Sequence, residues 1–430
     1  MRDESKTNNE ECGTWNAAII METACGFATP FVYRPMATIL KYFLFPGSAW
    51  AYLVAYCDLN VPRQSLGTSE NRCGSAPPTA HRPLPTVRHL LSAACTFFII
   101  FSVFAANAQD IDQEKAAAKW ITPAAEKSIA QGLRWLAEKQ HEDGSFGNGP
   151  ARGNVAICGL AGMAFMSGGS TPGRGPYGEN INKCVDYILA NAKPSGFING
   201  PDTATHGPMY GHGFATMFLA ECHGMSSRPE LRDALNKAVK LIANAQNNDG
   251  GWRYNPQRED ADISVTVCQV MALRAARNAG IFVSREVVDR SISYVKRSQN
   301  PDGGFMYQIQ GGESAFPRSA AAVAALYSAG IYEGAEITKG LDYLMEFIPA
   351  EGSVRRENYF YYAHYYAAQA MWQAGGKRFA RWFPAIRDDL VAKQQEDGSW
   401  IAPAEGNHCA TAMACIVLQM PNNYLPIFQR

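Results

Sequence analysis

The sequence has no excess of charge of either sign, because its 430 residues include 39 basic and 39 acidic side chains. A chain without net charge offers no general electrostatic attraction for nucleic acid or for an anionic membrane surface. We therefore expect no nucleic-acid partner, and membrane association only through a signal segment that stays uncleaved. Eleven cysteines are too few for a scaffold held together by disulfides.

Two further absences narrow the class of protein. No alternating pattern of useful length predicts a β-strand. The histidines and cysteines show no recognised zinc spacing, so we expect no metal and no cofactor; the loose candidates are Cys268, His364, His408 and Cys409. Hydrophobic residues make up 47% of the chain and charged residues 18%, which excludes a disordered chain and predicts a folded one.

The first 108 residues differ from the rest of the chain. Residues 1–86 show no sustained period, and we interpret them as a mis-called or disordered extension. Residues 87–108 have the order of a secretory signal: a short basic start, an apolar run and an Ala106-Asn107-Ala108 cleavage pattern. They are a signal peptide if translation starts near Val87, or a signal anchor if the extension is genuine. Either way, we expect residues 109–430 outside the cytoplasm, periplasmic or secreted.

A seven-residue pattern, Gln-x-x-Asp-Gly-[Gly/Ser]-[Phe/Trp], occurs four times along the chain. The copies are Gln140–Phe146, Gln246–Trp252, Gln299–Phe305 and Gln394–Trp400. Degenerate copies stand near 193, at residues 193–197, and near 348, at residues 351–354. Six copies, near 140, 193, 246, 299, 348 and 394, account for residues 109–430 almost completely.

Each unit predicts two helices around its motif. The segment before the motif is amphipathic, as Leu235, Val239 and Ile242 show by falling on one helical face. The segment after it, as at residues 155–166, is apolar on most sides and therefore typical of a buried helix. Six units predict one all-α domain, an α/α toroid of six hairpins with about twelve helices in an inner and an outer ring.

We interpret the repeat residues as structural. The aromatic side chain would anchor the turn, and the Gln amide would cap free carbonyls at the end of the outer helix. The residues concerned are Gln140, Asp143, Phe146, Gln246, Asp249, Trp252, Gln299, Asp302, Phe305, Gln394, Asp397 and Trp400.

The repeat resembles the QW-type motif of prenyltransferase and squalene oxidase repeat proteins over residues 120–430. This resemblance implies the fold of squalene–hopene cyclases and of protein prenyltransferase β subunits. Complement-like thioester domains share such a toroid, but their Gly-Cys-Gly-Glu-Gln motif is absent from this sequence. The zinc-binding Asp-x-Cys pair of the prenyltransferases is absent as well.

The resemblance also points to a candidate acid. Squalene–hopene cyclases protonate an alkene with an Asp-x-Asp-Asp motif, and Asp260-Ala261-Asp262 stands at the matching place with Ile263 in the last position. Asp262, and less directly Asp260, is therefore the catalytic candidate. The alternative is a helix cap, and we expect the helix dipole and nearby arginines to keep Asp262 ionised. The second helical domain of those cyclases has no room in this chain.

Other candidates lie at the rim where the N-termini of the inner helices gather. Helix N-termini favour an anion, so arginines at this rim predict a funnel for a phosphate or carboxylate group. The alternative is that each arginine only solvates its loop or pairs with a nearby acid. The arginines concerned are Arg152, Arg253, Arg258, Arg318, Arg355 and Arg356. The fifth unit is rich in aromatic residues, which line a cavity or fill the core. The candidate cavity or ligand residues are His212, Arg318, Tyr361, His364, Tyr365 and His408.

Three functions fit these observations. We favour a secreted toroid without enzymatic activity that binds an unknown small molecule or protein in its cavity or at its rim. One alternative is an enzyme acting on isoprenoids or other lipids, a cyclase or a transferase, with Asp262 as the acid. The other is a carbohydrate-active toroid, which needs two carboxylates across the cavity. Asp260 or Asp262 with Glu313 or Glu357 would supply them.

The signal order predicts that the mature protein begins at Gln109, directly after the small-residue cleavage pattern. N-terminal sequencing of secreted material is expected to read Gln109 first. An intact Met1 on membrane-bound protein would contradict this prediction.

Overall fold

A computed structural model describes residues 117, 119–200, 207–349 and 359–429. The chain divides into two compact units, residues 1–84 and 85–430, and every described residue belongs to the second. The extension, the signal segment and Gln109 lie outside the described residues. So do the degenerate repeat near 348, Arg355, Arg356 and Glu357.

The described residues between Pro123 and Leu418 form twelve α-helices. Even-numbered helices form an inner ring and odd-numbered helices an outer ring. In chain order they are α1 Pro123–Lys139, α2 Val155–Ser167, α3 Gly178–Ala190, α4 Pro208–His223, α5 Pro229–Ala245, α6 Ile263–Asn278, α7 Arg285–Arg297, α8 Phe316–Ser328, α9 Ala335–Met345, α10 Phe360–Ala374, α11 Gly376–Lys393 and α12 Asn407–Leu418. The described residues contain isolated β-bridges and no strand.

The two rings differ in burial as their sequences predict. In the inner helix α2, all residues except Ala156 are buried, because this helix has neighbours on every side. In the outer helix α5, the buried face includes Leu235, Val239 and Ile242, and the remaining faces are polar. Hydrophobic burial along one stripe therefore positions the outer ring, and burial all round holds the inner ring in the core.

The rings close on themselves. Each inner helix packs against the next one, and α12 packs back against α2, while α11 contacts α1. The predicted all-α toroid of six hairpins is thus confirmed. Within the described chain, no helix is both long enough and apolar enough to cross a bilayer. The six cysteines in that part of the chain are free thiols, five of them buried.

The repeat glutamine joins one hairpin to the next. The Gln246 amide donates to the carbonyl oxygen of Gly250 in its own turn, at 3.0 Å, and to that of Val287 in the next outer helix, at 2.9 Å. The predicted role, capping the preceding outer helix, is therefore corrected. In the last unit, Gln394 donates to Ser128 of α1 at 2.9 Å, so the same bond closes the ring.

The repeat glycine is required by both backbone and space. Gly250 has φ of +96°, and a Cβ at this position would lie 2.2 Å from the carbonyl oxygen of Arg290. The degenerate copy near 193 has the same arrangement, because Gly196 has φ of +91° and its Cβ would lie 2.3 Å from the carbonyl oxygen of Lys237. Residues 193–197 therefore form a true repeat turn.

The repeat aromatics and aspartates serve the turn, with one exception. The indole of Trp252 is buried and donates to the carbonyl of Ile242 at 2.7 Å, and Trp400 makes the equivalent bond. Asp397 accepts the backbone N–H of Ser399 two residues later, at 2.9 Å. Asp249 instead pairs with Arg297 at 3.2 Å.

The C-terminal segment, residues 419–429, closes the end of the inner ring opposite the N-terminal rim. Its Phe428 is buried against Tyr365, and the Gln373 amide donates to the Phe428 carbonyl at 2.6 Å. The Glu221 carboxyl lies beneath this segment, bonded to the backbone of Ile427. Burial raises the pKa of Glu221 to about 8, so this side chain is held in its neutral form at physiological pH.

We expect Trp252→Ala and Trp400→Ala to destabilise the fold to a similar degree, by about 3–5 kcal/mol each, because both create a cavity at equivalent turns. Thermal and urea unfolding would measure this loss. The matched control is Phe282→Ala, since Phe282 is 84% exposed and its removal should change stability by less than about 0.5 kcal/mol. An unchanged midpoint for Trp252→Ala would contradict the anchoring role.

Glu221 makes stability depend on pH. Between its ordinary pKa of 4.5 and about 8, the folded chain keeps a proton that the unfolded chain has lost. The contribution of Glu221 to stability therefore falls as pH rises through this window, by about 1.4 kcal/mol for each unit. Buried histidines with lowered pKa, such as His212 and His364, contribute a slope of opposite sign below about pH 6.5. The expected result is therefore a difference: measured by urea unfolding from pH 5 to 8, the stability of the wild type relative to Glu221→Gln should fall by this amount. The same slope in both proteins would disprove the assignment.

Candidate functional site

The site is built around Asp262, which is fully buried at the N-cap of inner helix α6. Its backbone N–H donates to the Trp252 carbonyl at 3.1 Å, so the repeat turn sets its position. One carboxylate oxygen accepts the backbone N–H of Val265 at 2.9 Å. Asp262 is therefore the predicted helix cap, and its role as a catalytic acid stays a prediction.

Arg253 covers this carboxylate. Its Nη1 lies 3.1 Å from the second oxygen of Asp262, and its Nε lies 3.6 Å from Asp260. The guanidinium also stacks over Tyr254, 4.4 Å from the ring centre, and over Tyr307, at 5.4 Å. The hydroxyl groups of these two tyrosines are 2.5 Å apart. Arg253, Tyr254 and Tyr307 thus join two consecutive repeat units above the Asp262 carboxylate.

The pKa of Asp262 is shifted in the direction opposite to the expected one. Burial raises its pKa above the ordinary value, although the Val265 amide and Arg253 favour the charged form. The expectation that charge-stabilising contacts would prevail is wrong, because the helix N-terminus and one arginine do not replace the hydration that complete burial removes. The side chain of Asp260, by contrast, is exposed.

Four tyrosines surround this carboxylate and form what we call the tyrosine mouth: Tyr210, Tyr254, Tyr307 and Tyr362. All four are half-buried at the N-terminal rim, and each comes from a different unit. Burial raises the pKa of Tyr210, and charges on Tyr362, Asp262, Tyr254 and Tyr307 raise it further, because these groups lie close together. The mouth therefore places four aromatic rings around a buried acid, with the Tyr254 and Tyr307 hydroxyl groups bonded to each other and the Tyr362 hydroxyl group sealed from solvent.

Sequence reasoning missed the tyrosine mouth, although the repeat contains a signal for half of it. Tyr254 and Tyr307 each stand two residues after the repeat aromatic, Trp252 and Phe305. Aligning the copies beyond the seventh position would have paired them. Tyr210 and Tyr362 follow degenerate or undescribed turns, so no equivalent signal exists for these two.

The described chain contains four of the six rim arginines, and three of them are bonded to loops or to nearby acids. Arg253 is paired as above, and Arg258 donates to the Asn244 carbonyl at 2.7 Å. Arg318 donates to the carbonyl oxygens of Phe305, at 3.0 Å, and Glu313, at 2.5 Å. These three arginines therefore bond to loops and nearby acids, which is the alternative to the predicted anion funnel.

The structure places two predicted cavity histidines in the core. His212 is fully buried, and its Nδ1 accepts the backbone N–H of Ile198 at 3.1 Å. His364 is buried between Phe316, Phe360 and Trp382. Burial lowers the pKa of both, to about 4 and about 3, so both rings are neutral at physiological pH.

The remaining cavity candidates are also buried. Tyr365 lies between Phe214 and Phe428 in the middle of the inner ring. His408 lies near the rim with its ring 5.0 Å from that of Trp135, and burial lowers its pKa to about 4. Tyr361 is 7% exposed and lies beside a carboxyl group that the sequence did not single out, that of Glu405.

Glu405 belongs to the loop before α12 but serves the neighbouring helix. Its carboxyl group accepts from the backbone amides of Tyr361 and Tyr362 in the first turn of α10, whose own N-cap residue provides no side-chain cap. Burial raises the pKa of Glu405. One of its oxygens, Oε1, is sealed from solvent and has no hydrogen-bond partner among the described residues.

The described residues contain no group of three or more metal-ligating side chains that would hold a metal ion. Two carboxyl groups with raised pKa, those of Asp262 and Glu405, lie near Tyr362. Burial raises the pKa of Tyr362, the charge on Asp262 adds to the shift, and the Tyr362 backbone amide donates to Glu405.

Comparison with known proteins identifies the family. The model of the prenyltransferase alpha-alpha toroid domain matches residues 69–202 and 97–358, and the chain belongs to this family. It is 25% identical over 181 residues to the drimenyl diphosphate synthase of Streptomyces showdoensis, matching 41% of this chain and 32% of that enzyme. The synthase of Streptantibioticus cattleyicolor is 30% identical over 153 residues, 34% of this chain and 27% of the enzyme. The chain thus spans about a third of the curated relatives it matches.

Solved structures share the fold. The type II terpene cyclase MstE from Scytonema superposes with a TM-score of 0.51 at 15% identity, covering 70% of this chain and 99% of that chain. An inactive variant of an α-1,6-mannanase from Salegentibacter superposes with a TM-score of 0.52 at 6% identity, covering 70% and 99%. At such low identities the likeness establishes the fold, a terpene cyclase-like toroid. It does not assign an activity to this chain.

We expect Arg253→Met to raise the pKa of Asp262 further, because the variant removes the one cation that favours the ionised carboxylate. The variant should also lose about 3–5 kcal/mol of stability at neutral pH, and less in acid, where the carboxyl is protonated. Carbon-13 NMR of labelled aspartates would report the titration, with Asp262→Asn for assignment. Arg258→Met is the control, and an unshifted Asp262 in Arg253→Met would contradict the pairing.

Proposed function

We propose that the protein is an extracytoplasmic, terpenoid cyclase-like toroid that binds an isoprenoid ligand at the tyrosine mouth without converting it. The observation that carries the proposal is the convergence of Tyr210, Tyr254, Tyr307 and Tyr362 at a half-buried rim. Aromatic faces bind an apolar chain, and their hydroxyl groups orient a polar end. The extracytoplasmic location rests on the signal order of residues 87–108.

The contacts of Asp262 support binding without turnover. A carboxyl group that protonates an alkene needs one oxygen that carries a proton and faces the substrate. One oxygen of Asp262 accepts the Val265 amide, and the other faces Arg253. Ile263 stands where the related cyclase motif has its last aspartate. Both carboxylate oxygens of Asp262 therefore already have partners, the Val265 amide and the Arg253 guanidinium.

Proton transfer to an isoprenoid is the second candidate function, and one observation favours it. Burial raises the pKa of Asp262, which is the condition for a carboxyl that stays protonated. The expectation that a cyclase needs a second helical domain is also weakened. The structure of an MstE variant in complex with its substrate, geranylgeranyl dihydroxybenzoate, aligns with this chain. The alignment covers 98% of the MstE chain and 71% of this one.

One experiment separates the two functions. The purified protein is incubated with squalene and with C20 prenyl compounds, binding is followed by intrinsic fluorescence, and products are analysed by gas chromatography with mass detection. We expect binding without product. Asp260→Asn is the control for Asp262→Asn, because Asp260 is exposed. A cyclic product that disappears in Asp262→Asn alone would establish the enzyme instead, and no binding of any prenyl compound would refute both.

A further inference from the structure

We propose that Cys158 and Cys184 form a disulfide bond that joins inner helix α2 to outer helix α3. The proposal goes beyond ligand binding at the tyrosine mouth. It uses only the extracytoplasmic location from the proposed function, because disulfide bonds form and persist in oxidising compartments. In the structure both residues are thiols, and both side chains are fully buried.

The two thiols are neighbours between the helices. The sulfur of Cys158 lies 3.5 Å from the carbonyl oxygen of Gly144 and 3.9 Å from the carbonyl oxygen of Cys184. The sulfur of Cys184 accepts the side-chain amide of Gln140, the repeat glutamine of the first unit, at 3.4 Å. Burial raises the pKa of the Cys158 thiol well above its ordinary value, and the Cys184 side chain raises it further because the two groups are close. The fold thus brings together two cysteines that are 26 residues apart in sequence.

Cys158 occupies a position at which other units carry a hydroxyl group. Thr266 and Ser319, each the fourth residue of its inner helix, accept the backbone N–H of the repeat aromatic at 3.0 and 2.8 Å. In the last unit Thr411 makes the same bond at 3.1 Å. Cys158 is likewise the fourth residue of α2. A hydroxyl group satisfies the turn in three other units, so packing at this position does not by itself call for a thiol.

Cys184 occupies the facing position on the outer helix. It stands four residues after Asn180, whose carbonyl accepts the Gln140 amide at 3.0 Å. The residues four positions after the corresponding acceptors in three other units are small: Ser291, Gly340 and Gly132. A Cβ at Gly132 would lie 2.6 Å from the Cys415 sulfur of α12, because the outer helix runs close to the inner one here. A disulfide requires such a close approach of two backbones.

The bond forms by thiol–disulfide exchange while the chain folds. One cysteine thiolate attacks a sulfur of a small-molecule disulfide such as glutathione disulfide, whose S–S bond breaks and releases one thiol. The second cysteine thiolate then attacks the mixed disulfide, and the second glutathione leaves. Two protein thiols are oxidised to one S–S bond, one small disulfide is reduced to two thiols, and the two protons pass to the released thiolates. Burial then protects the bond, because a reducing thiolate does not reach it in the folded protein.

The cross-link lies beside the seam at which the ring closes. Helix α2 packs against α12, the last inner helix, and α1 accepts the closing bond from Gln394. The disulfide restricts the unfolded chain by closing a loop between residues 26 positions apart. We therefore expect the oxidised protein to unfold at a higher temperature than the reduced protein.

Peptide mapping tests the pairing. The full-length protein is unfolded, reduced and refolded in a mixture of oxidised and reduced glutathione, and the remaining thiols are blocked before digestion with trypsin without reductant. Mass spectrometry is expected to find residues 153–174, which contain Cys158, joined to the peptide that begins at Cys184. Blocked thiols at both positions, or a different partner for either cysteine, would overturn the proposal. Because the protein is refolded in vitro, this result depends neither on the ligand nor on the location in the proposed function.

Thermal unfolding tests the effect of the bond. The oxidised wild type should have a midpoint about 5 °C or more above that of the reduced wild type. The double variant Cys158→Thr with Cys184→Ser carries side chains that other units have at these positions, so it is expected to fold and to lose this difference. Cys222→Ala is the matched control, since Cys222 is equally buried, beside the sulfur of Met166 at 3.8 Å, and the variant should keep the difference. The same response to reductant in the wild type and the double variant would overturn the proposal.

Discussion

The hydrogen bonds of the repeat glutamines hold the toroid together. Each amide binds a carbonyl in its own turn and, in the described units, a carbonyl of the following outer helix. In the last unit the second partner is Ser128 of α1, so an interaction that is local elsewhere becomes the closing contact between the two ends of the ring. A hairpin of one amphipathic and one apolar helix cannot bury itself alone, and the ring supplies the missing neighbours.

The same repeat places the site. Trp252 is anchored by its indole bond to Ile242, and its backbone carbonyl accepts the N–H of Asp262. Two residues after Trp252, the chain presents Tyr254 toward Tyr307 of the next unit. The tyrosine mouth is therefore an extension of a structural turn, with functional groups added to a frame that packing already requires.

Desolvation decides the electrostatics of both ends of the inner ring. At the rim it raises the pKa of Asp262 and Glu405 despite backbone amides at each. At the opposite end it keeps Glu221 neutral beneath the C-terminal segment. Arg253 is engaged by acids of its own unit, so the rim attracts anions less than its helix dipoles alone would suggest. Burial, more than the count of charged residues, sets what this protein can bind.

The sequence by itself determined the ring. Repeat spacing and hydrophobic period predict twelve helices, their inner and outer roles and the turn at residues 193–197, because these depend on contacts within one unit or with the next. It also marked Asp262, which the structure places at an inner-helix N-cap. Only the tertiary structure decided that Arg253 covers this acid, that His212 and His364 are core residues, and that Glu405 serves α10. Those outcomes depend on side chains that meet across the ring from distant units, and a local pattern carries no information about such meetings or about the hydration that burial removes.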